Sequence, residues 1–155
     1  MSTNEKLNHL AAALRLDSPE RETLRLRFGL ACARRVAHLL EDREVLACLD
    51  GLERWLESGL DRGSLAALAA RAAALAGAQP GSRSLDGCGH AAVSASYAVA
   101  KALAGQALQA ADYAAYAAVY GQGGYGAVSE RESFQPEFDW QTDCLAALAK
   151  AAGDG

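Results

Sequence analysis

The chain is 155 residues long, the size of a typical single domain, and carries 15 Lys and Arg against 19 Asp and Glu, a formal net charge of −4. Nearly a quarter of it is alanine and isoleucine is absent, a balance that favours helix over strand. The acidic balance argues against a nucleic-acid partner, which needs a basic face to displace counterions.

The opening MSTNEKLNHL lacks a basic region followed by an apolar one, so no export signal is read, and the expected compartment is the reducing cytoplasm. Cys32, Cys48, Cys88 and Cys144 are widely spaced, with no CxxC pair, and are expected as free thiols.

Within a leading segment, 1–17, residues 4–15 read as a short helix. Ser18-Pro19-Glu20 then supplies an N-cap, a proline at the first helical position and an acid in the first turn. The helix that follows places Leu24, Phe28, Cys32, Val36 and Leu39 on one face. A third helix starts near Asp42, turns Val45, Cys48, Leu49, Leu52, Trp55 and Leu56 inward, and closes at Gly59. A fourth runs from Asp61 or Ser64 to Gly77 with Leu65, Leu68, Ala72 and Leu75 as its stripe. Gln79 to Ser84 has the composition of a loop.

From Asp86 to Ser129 run forty-four residues with only three formal charges, Asp86, Lys101 and Asp112. So little charge implies burial. Alanine is weakly apolar and Gly105, Gln106 and Gly121 interrupt the stretch, so it lacks the roughly 18 strongly apolar residues of a membrane span. It reads as a buried, Ala-rich helical hairpin, one arm from Asp86 to about Gly105 and the other from about Gln106 to Tyr120. Residues 121–135 read as a glycine-rich mobile loop, and a last helix begins near Pro136 with Phe138, Gln141, Leu145 and Leu148 on one face. The expected fold is an all-α, compact single-domain bundle (1–155) of about six or seven helices around that central hairpin.

Candidate chemistry is sparse. Gly121-Gln122-Gly123-Gly124-Tyr125-Gly126 matches GxGxxG, but it follows a helix, where a dinucleotide site needs a preceding strand. Asp86, Cys88 and His90 are close in sequence, yet the chain lacks the acids and the ExxH pair of a helical metal site, and His9 and His38 show no ligand spacing. Asp86 as a helix cap and His90 as a hydrogen-bonded helix residue are the simpler reading. Ser94 and Ser96 near His90 lack a nucleophile elbow. No catalytic residue, cofactor or metal is expected, and the chain does not read as an enzyme.

Tyr113, Tyr116 and Tyr120 form a stripe at helical spacing. Asp112 lies on an otherwise apolar face, where a carboxylate is expected to bond an arginine, Arg35 being the candidate, or a tyrosine hydroxyl. Arg35, His90, Asp112, Tyr116 and Trp140 are the expected polar core. From Glu130 to Asp143, five acids (Glu130, Glu132, Glu137, Asp139, Asp143) face one base, Arg131, with Phe134, Phe138 and Trp140 interleaved. That tract is either a solvated face over core aromatics or a recognition surface for a basic partner.

The strings Ala31-Cys32-Ala33-Arg34-Arg35-Val36-Ala37-His38-Leu39-Leu40, Leu49-Asp50-Gly51-Leu52-Glu53-Arg54-Trp55 and Gly89-His90-Ala91-Ala92 resemble a family of bacterial immunity proteins. So do Ala111-Asp112-Tyr113-Ala114-Ala115-Tyr116 and Trp140-Gln141-Thr142-Asp143-Cys144-Leu145. The family is the all-α, immunity-protein-five-like group of polymorphic toxin systems, and the resemblance spans roughly residues 25 to 148. It implies a cytoplasmic protein that binds and neutralises a cognate toxin domain by protein–protein occlusion. It carries no active-site residues across, and it does not identify the toxin. The acidic tract, with the loop at 121–126, is the expected contact. Two other readings compete: a small-molecule-binding or enzymatic bundle centred on His90 and Asp112, and a homo-oligomer joined through its small-residue faces.

Overall fold

The computed structural model describes residues 3–59, 61–78 and 88–153. Among them are seven helices: α1 (Glu5–Ala13), α2 (Glu22–Arg35), α3 (Arg43–Ser58), α4 (Arg62–Gly77), α5 (Cys88–Leu103), α6 (Ala107–Val128) and α7 (Gln135–Ala151). Short 3-10 turns at Pro19–Arg21, Ala37–Leu39 and Arg131–Phe134 join or lead into them, and no described residue lies in a strand. The expected loop at Gln79–Ser84 and the Asp86 cap lie outside the described residues, as does the Cys88 side chain.

Local chemistry sets the helix ends. Asn4, Asp42 and Asp61 cap α1, α3 and α4, their side-chain oxygens accepting from the amides of Leu7, Glu44 and Ser64 and satisfying donors the helix leaves open. Gly59 ends α3 in the left-handed conformation, φ 66°, where a Cβ would be strained. The long second helix read from Pro19 to Leu39 is divided. Its first turn is 3-10, and it ends at Arg35, with Val36 leaving helical geometry before the Ala37–Leu39 turn.

α5 and α6 form the most extensive helix contact, and α2 lies across both. Small side chains permit this: Ala95, Ala98, Ala102, Ala110, Ala111 and Ala117 are completely buried, so the backbones approach closely and larger side chains from outer helices fill the remaining space. On one side Leu7, Leu16, Leu24, Phe28 and Leu145 close over the hairpin, and on the other Leu26, Val45, Leu49 and Leu52 do so. No helix among the described residues is long and apolar enough to cross a membrane.

The stretch read as a mobile loop, 121–135, is mostly helical. α6 continues through Gly121 to Val128, with non-helical geometry only at Gly124 (φ 60°, ψ −145°), and the 3-10 turn Arg131–Phe134 leads into α7. Two forces outweigh the poor helix propensity of glycine. Val119, Phe134 and Phe138 form a third small core with Tyr116, Ala127 and Val128 against it, which anchors the segment from both ends. Glycine at 124 also tolerates a kink that other residues resist.

Candidate functional site

Beyond the α6 kink, Tyr125 lies against the start of α5. The His90 ring lies 5.3 Å from that of Tyr120 and 5.4 Å from that of Tyr125, and the two tyrosine rings meet edge to face at 5.9 Å. Tyr116 continues the row, 6.4 Å from Tyr120 and edge-on to Phe134 at 5.0 Å. One turn earlier on α6, Tyr113 stacks on Tyr97 of α5 at 5.2 Å. The five tyrosines of the chain thus fall into two groups on the α5–α6 hairpin, the Tyr97–Tyr113 stack and the cluster of Tyr116, Tyr120 and Tyr125. Four are half-buried; Tyr125, at 46 % exposure, is the one exposed large hydrophobic side chain among the described residues. Burial, then the neighbouring Tyr120 and Asp112, raises the pKa of the Tyr116 phenol, so its hydroxyl remains a neutral donor near neutral pH.

A second constellation lies where α2 meets α7. Arg35 donates from Nε to Oε1 of Glu137 at 2.8 Å and from Nη2 to Oε2 at 3.2 Å, a two-pronged pairing of guanidinium and carboxylate. The guanidinium also lies 4.4 Å from the centre of the Trp140 ring. The hydrogen bond from Arg35 raises its pKa further, against the opposing effect of burial. Beside the pair, Arg35, His38, Leu39, Gln122 and Glu137 line an open cleft of about 260 Å³. Cys32 lies behind it, fully buried, and desolvation pushes its thiol well above the ordinary range; Cys144, half-buried, is raised by the same cause.

A third polar group ties the amino terminus to the core. The Asn4 side chain donates to the Phe138 carbonyl at 3.2 Å and to Gln141 Oε1 at 3.3 Å, while Gln141 donates to the Ala111 carbonyl at 2.8 Å. Asn4 and Gln141 are both buried, so each bond replaces water that the fold excludes. Every buried side-chain nitrogen and oxygen among the described residues has a partner.

The five residues expected as a polar core are thus distributed. Arg35 and Trp140 meet, but with Glu137 rather than Asp112. His90 and Tyr116 both contact Tyr120 and do not contact each other. Asp112 is exposed, with no hydrogen bond or ion pair among the described residues, and neither Arg35 nor a tyrosine hydroxyl bonds it. The reason is rotational: the buried arc of α6 is centred on Ala107, Ala111 and Ala114, and position 112 falls just past its edge. Neighbouring side chains still strip water from its carboxyl and raise the pKa.

The acidic tract also divides. Glu130, Glu132, Asp139 and Asp143 are exposed, but Glu137 is only 5 % exposed and belongs to the Arg35 pair, which corrects its place on an outer surface. Its inward position had a signal: it precedes Gln141 by four residues, on the same stripe. The tie from Asn4 to α7 had none, because Phe138 and Gln141 lie more than 130 residues away. Among the described residues no three His, Cys, Asp or Glu gather as ligands for a metal ion.

Comparison with known proteins yields no matching family model, no matching curated protein and no matching solved structure.

Proposed function

We propose that this bundle works by binding another protein, and that it is an immunity protein which neutralises a cognate toxin domain by covering it. The resemblance of the helix-face strings between residues 25 and 148 supplies the toxin part of this reading. The observation that carries the binding part is the division of polar chemistry in the fold. Arg35, Glu137, Asn4, Gln141 and Ser96 are all partnered inside it, and each of those bonds fixes one helix against another or against its own turn. Polar groups placed to meet a partner lie on the surface, among them the acids Glu130, Glu132, Asp143 and Asp139, the last accepting a hydrogen bond from Gln135 at 2.7 Å.

An interface of that kind needs a buried apolar or aromatic centre and a polar rim that steers approach. The four exposed acids supply a rim suited to a basic partner. The alternative centred on His90 and Asp112 has less support, because no hydrogen bond or ion pair joins the two side chains.

Affinity capture of the tagged chain from its native lysate, with salt varied, tests the reading. A polypeptide should elute in stoichiometric amount, and charge reversal at Glu130, Glu132, Asp139 and Asp143 should weaken the complex and flatten its salt dependence. Absence of any stoichiometric polypeptide while the partner is expressed would refute it.

A further inference from the structure

We infer that the outer face of the α5–α6 hairpin is a docking surface for a basic, arginine-bearing segment of a polypeptide, whose guanidinium groups lie over the tyrosine rings. The assignment deepens the protein-binding reading above and rests on it.

Composition is the first argument. His90, Tyr116, Tyr120 and Tyr125 form one cluster with ring contacts of 5.3–6.4 Å, and Tyr97 stacks on Tyr113 at 5.2 Å, one turn of α6 before Tyr116. Tyrosine supplies large contact area for few rotatable bonds, which makes it the residue most suited to the centre of an interface. The partial exposure of four rings matters as much: a ring held by its neighbours loses little freedom when a partner covers it.

Charge is the second argument, and it selects the occupant. Asp112 is exposed one turn from Tyr116 on the same helix and hydrogen-bonds nothing among the described residues. Glu130 follows Ser129, whose amide donates to the Tyr125 carbonyl at 3.1 Å, whereas Arg131 and Glu132 line a cleft with Thr3, Gln135 and Phe138. Both glutamates are exposed. Among the described residues of α5 and α6, Lys101, one turn after Tyr97, is the cation set against Asp112 and the neighbouring Glu130. Electron-rich ring faces beside carboxylates attract guanidinium more than ammonium, because guanidinium is planar, weakly hydrated and stacks. The chain already uses this chemistry once, with Arg35 over Trp140.

The test uses the full chain with tyrosine rings isotopically labelled and three synthetic peptides of equal length, rich in arginine, lysine or glutamate. The arginine peptide should shift the ring resonances of Tyr120 and Tyr125, bind more tightly than the lysine peptide, and leave the glutamate peptide without effect. Tyr125→Ala, at an exposed position, should weaken arginine-peptide binding roughly tenfold. Asp112→Asn with Glu130→Gln should weaken it and reduce its salt dependence, while Glu57→Gln, exposed on α3, should leave it within about twofold.

Ring resonances that do not move, or binding indifferent to Tyr125→Ala, would overturn the assignment. The two readings fail separately. A captured partner whose binding is lost in Asp139→Lys/Asp143→Lys but unchanged in Tyr125→Ala would remove the tyrosine face and leave protein binding standing.

Discussion

Removing either member of the Arg35–Glu137 pair should destabilise the fold by unequal amounts, and the inequality follows from where each charge lies. The Glu137 side chain is 6 % exposed and that of Arg35 is 36 % exposed. Arg35→Met leaves a carboxylate buried without its counter-ion; breaking a fully buried pair this way costs about 3–5 kcal/mol. Because Arg35 itself reaches water, solvent can follow into the vacated space, and a loss of about 2–3 kcal/mol is the better expectation. Glu137→Leu instead leaves a guanidinium that is partly hydrated and still over Trp140, for a loss of about 1–1.5 kcal/mol. The double variant removes both charges and should lie within about 1.5 kcal/mol of the natural chain, less than the sum of the single losses. Urea unfolding followed by circular dichroism near neutral pH measures all three. For a chain of this length each kcal/mol corresponds to about 2–4 °C in Tm. Equal losses in the two single variants, or a double variant equal to their sum, would refute the claim that a desolvated carboxylate dominates this contact.

Further outcomes follow from the same geometry. A Cβ at Gly29 would lie 3.1 Å from the backbone Cα and the Cβ of Ala102, whereas one at Gly51 would meet the movable methyls of Leu68 at 2.9 and 3.1 Å. Both substitutions gain about 0.8–1 kcal/mol of helix propensity, but overpacking against rigid neighbours costs about 1–3 kcal/mol, so Gly29→Ala should lower Tm more than Gly51→Ala. Asp112 has a raised pKa in the folded chain, so its ionised form disfavours folding; stability falls as pH rises through the carboxylate range and stays lower above it. Asp112→Asn should therefore match or exceed the natural Tm near neutral pH and lose that advantage in acid, which thermal scans across pH would show. Native thiol labelling read by peptide mass should modify Cys144 before Cys32, because Cys144 is partly exposed and Cys32 is sealed in the core with the more strongly raised pKa. Faster labelling of Cys32 would mean that the core opens locally.

Much of the fold was legible because local signals and burial agreed. Asp42, Asp61 and Gly59 end helices where their chemistry places them, and the uncharged stretch holds the central hairpin. The glycine-rich stretch was misread because glycine weighs against helix locally, while the anchors that hold it, Val119, Phe134 and Phe138, flank the glycines on either side. Partner choice was the least legible property. Arg35 was matched to Asp112 and Glu137 to the outer tract, and the relative rotation of α2, α6 and α7 instead pairs Arg35 with Glu137. The tyrosine stripe at 113, 116 and 120 was visible as a stripe. That Tyr97, Tyr125 and His90 join it depends on the α5–α6 packing and on the kink at Gly124, neither of which leaves a periodic trace.

The central claim is that this chain binds a toxic polypeptide and silences it, and growth measures that directly. The partner recovered by capture is expressed alone, with the natural chain, and with a Tyr125→Ala, Glu130→Gln, Glu132→Gln variant shown to fold. Growth should stop with the partner alone, recover fully with the natural chain, and recover poorly with the variant. A partner that is harmless alone, or one whose toxicity this chain does not relieve while bound to it, would contradict the account.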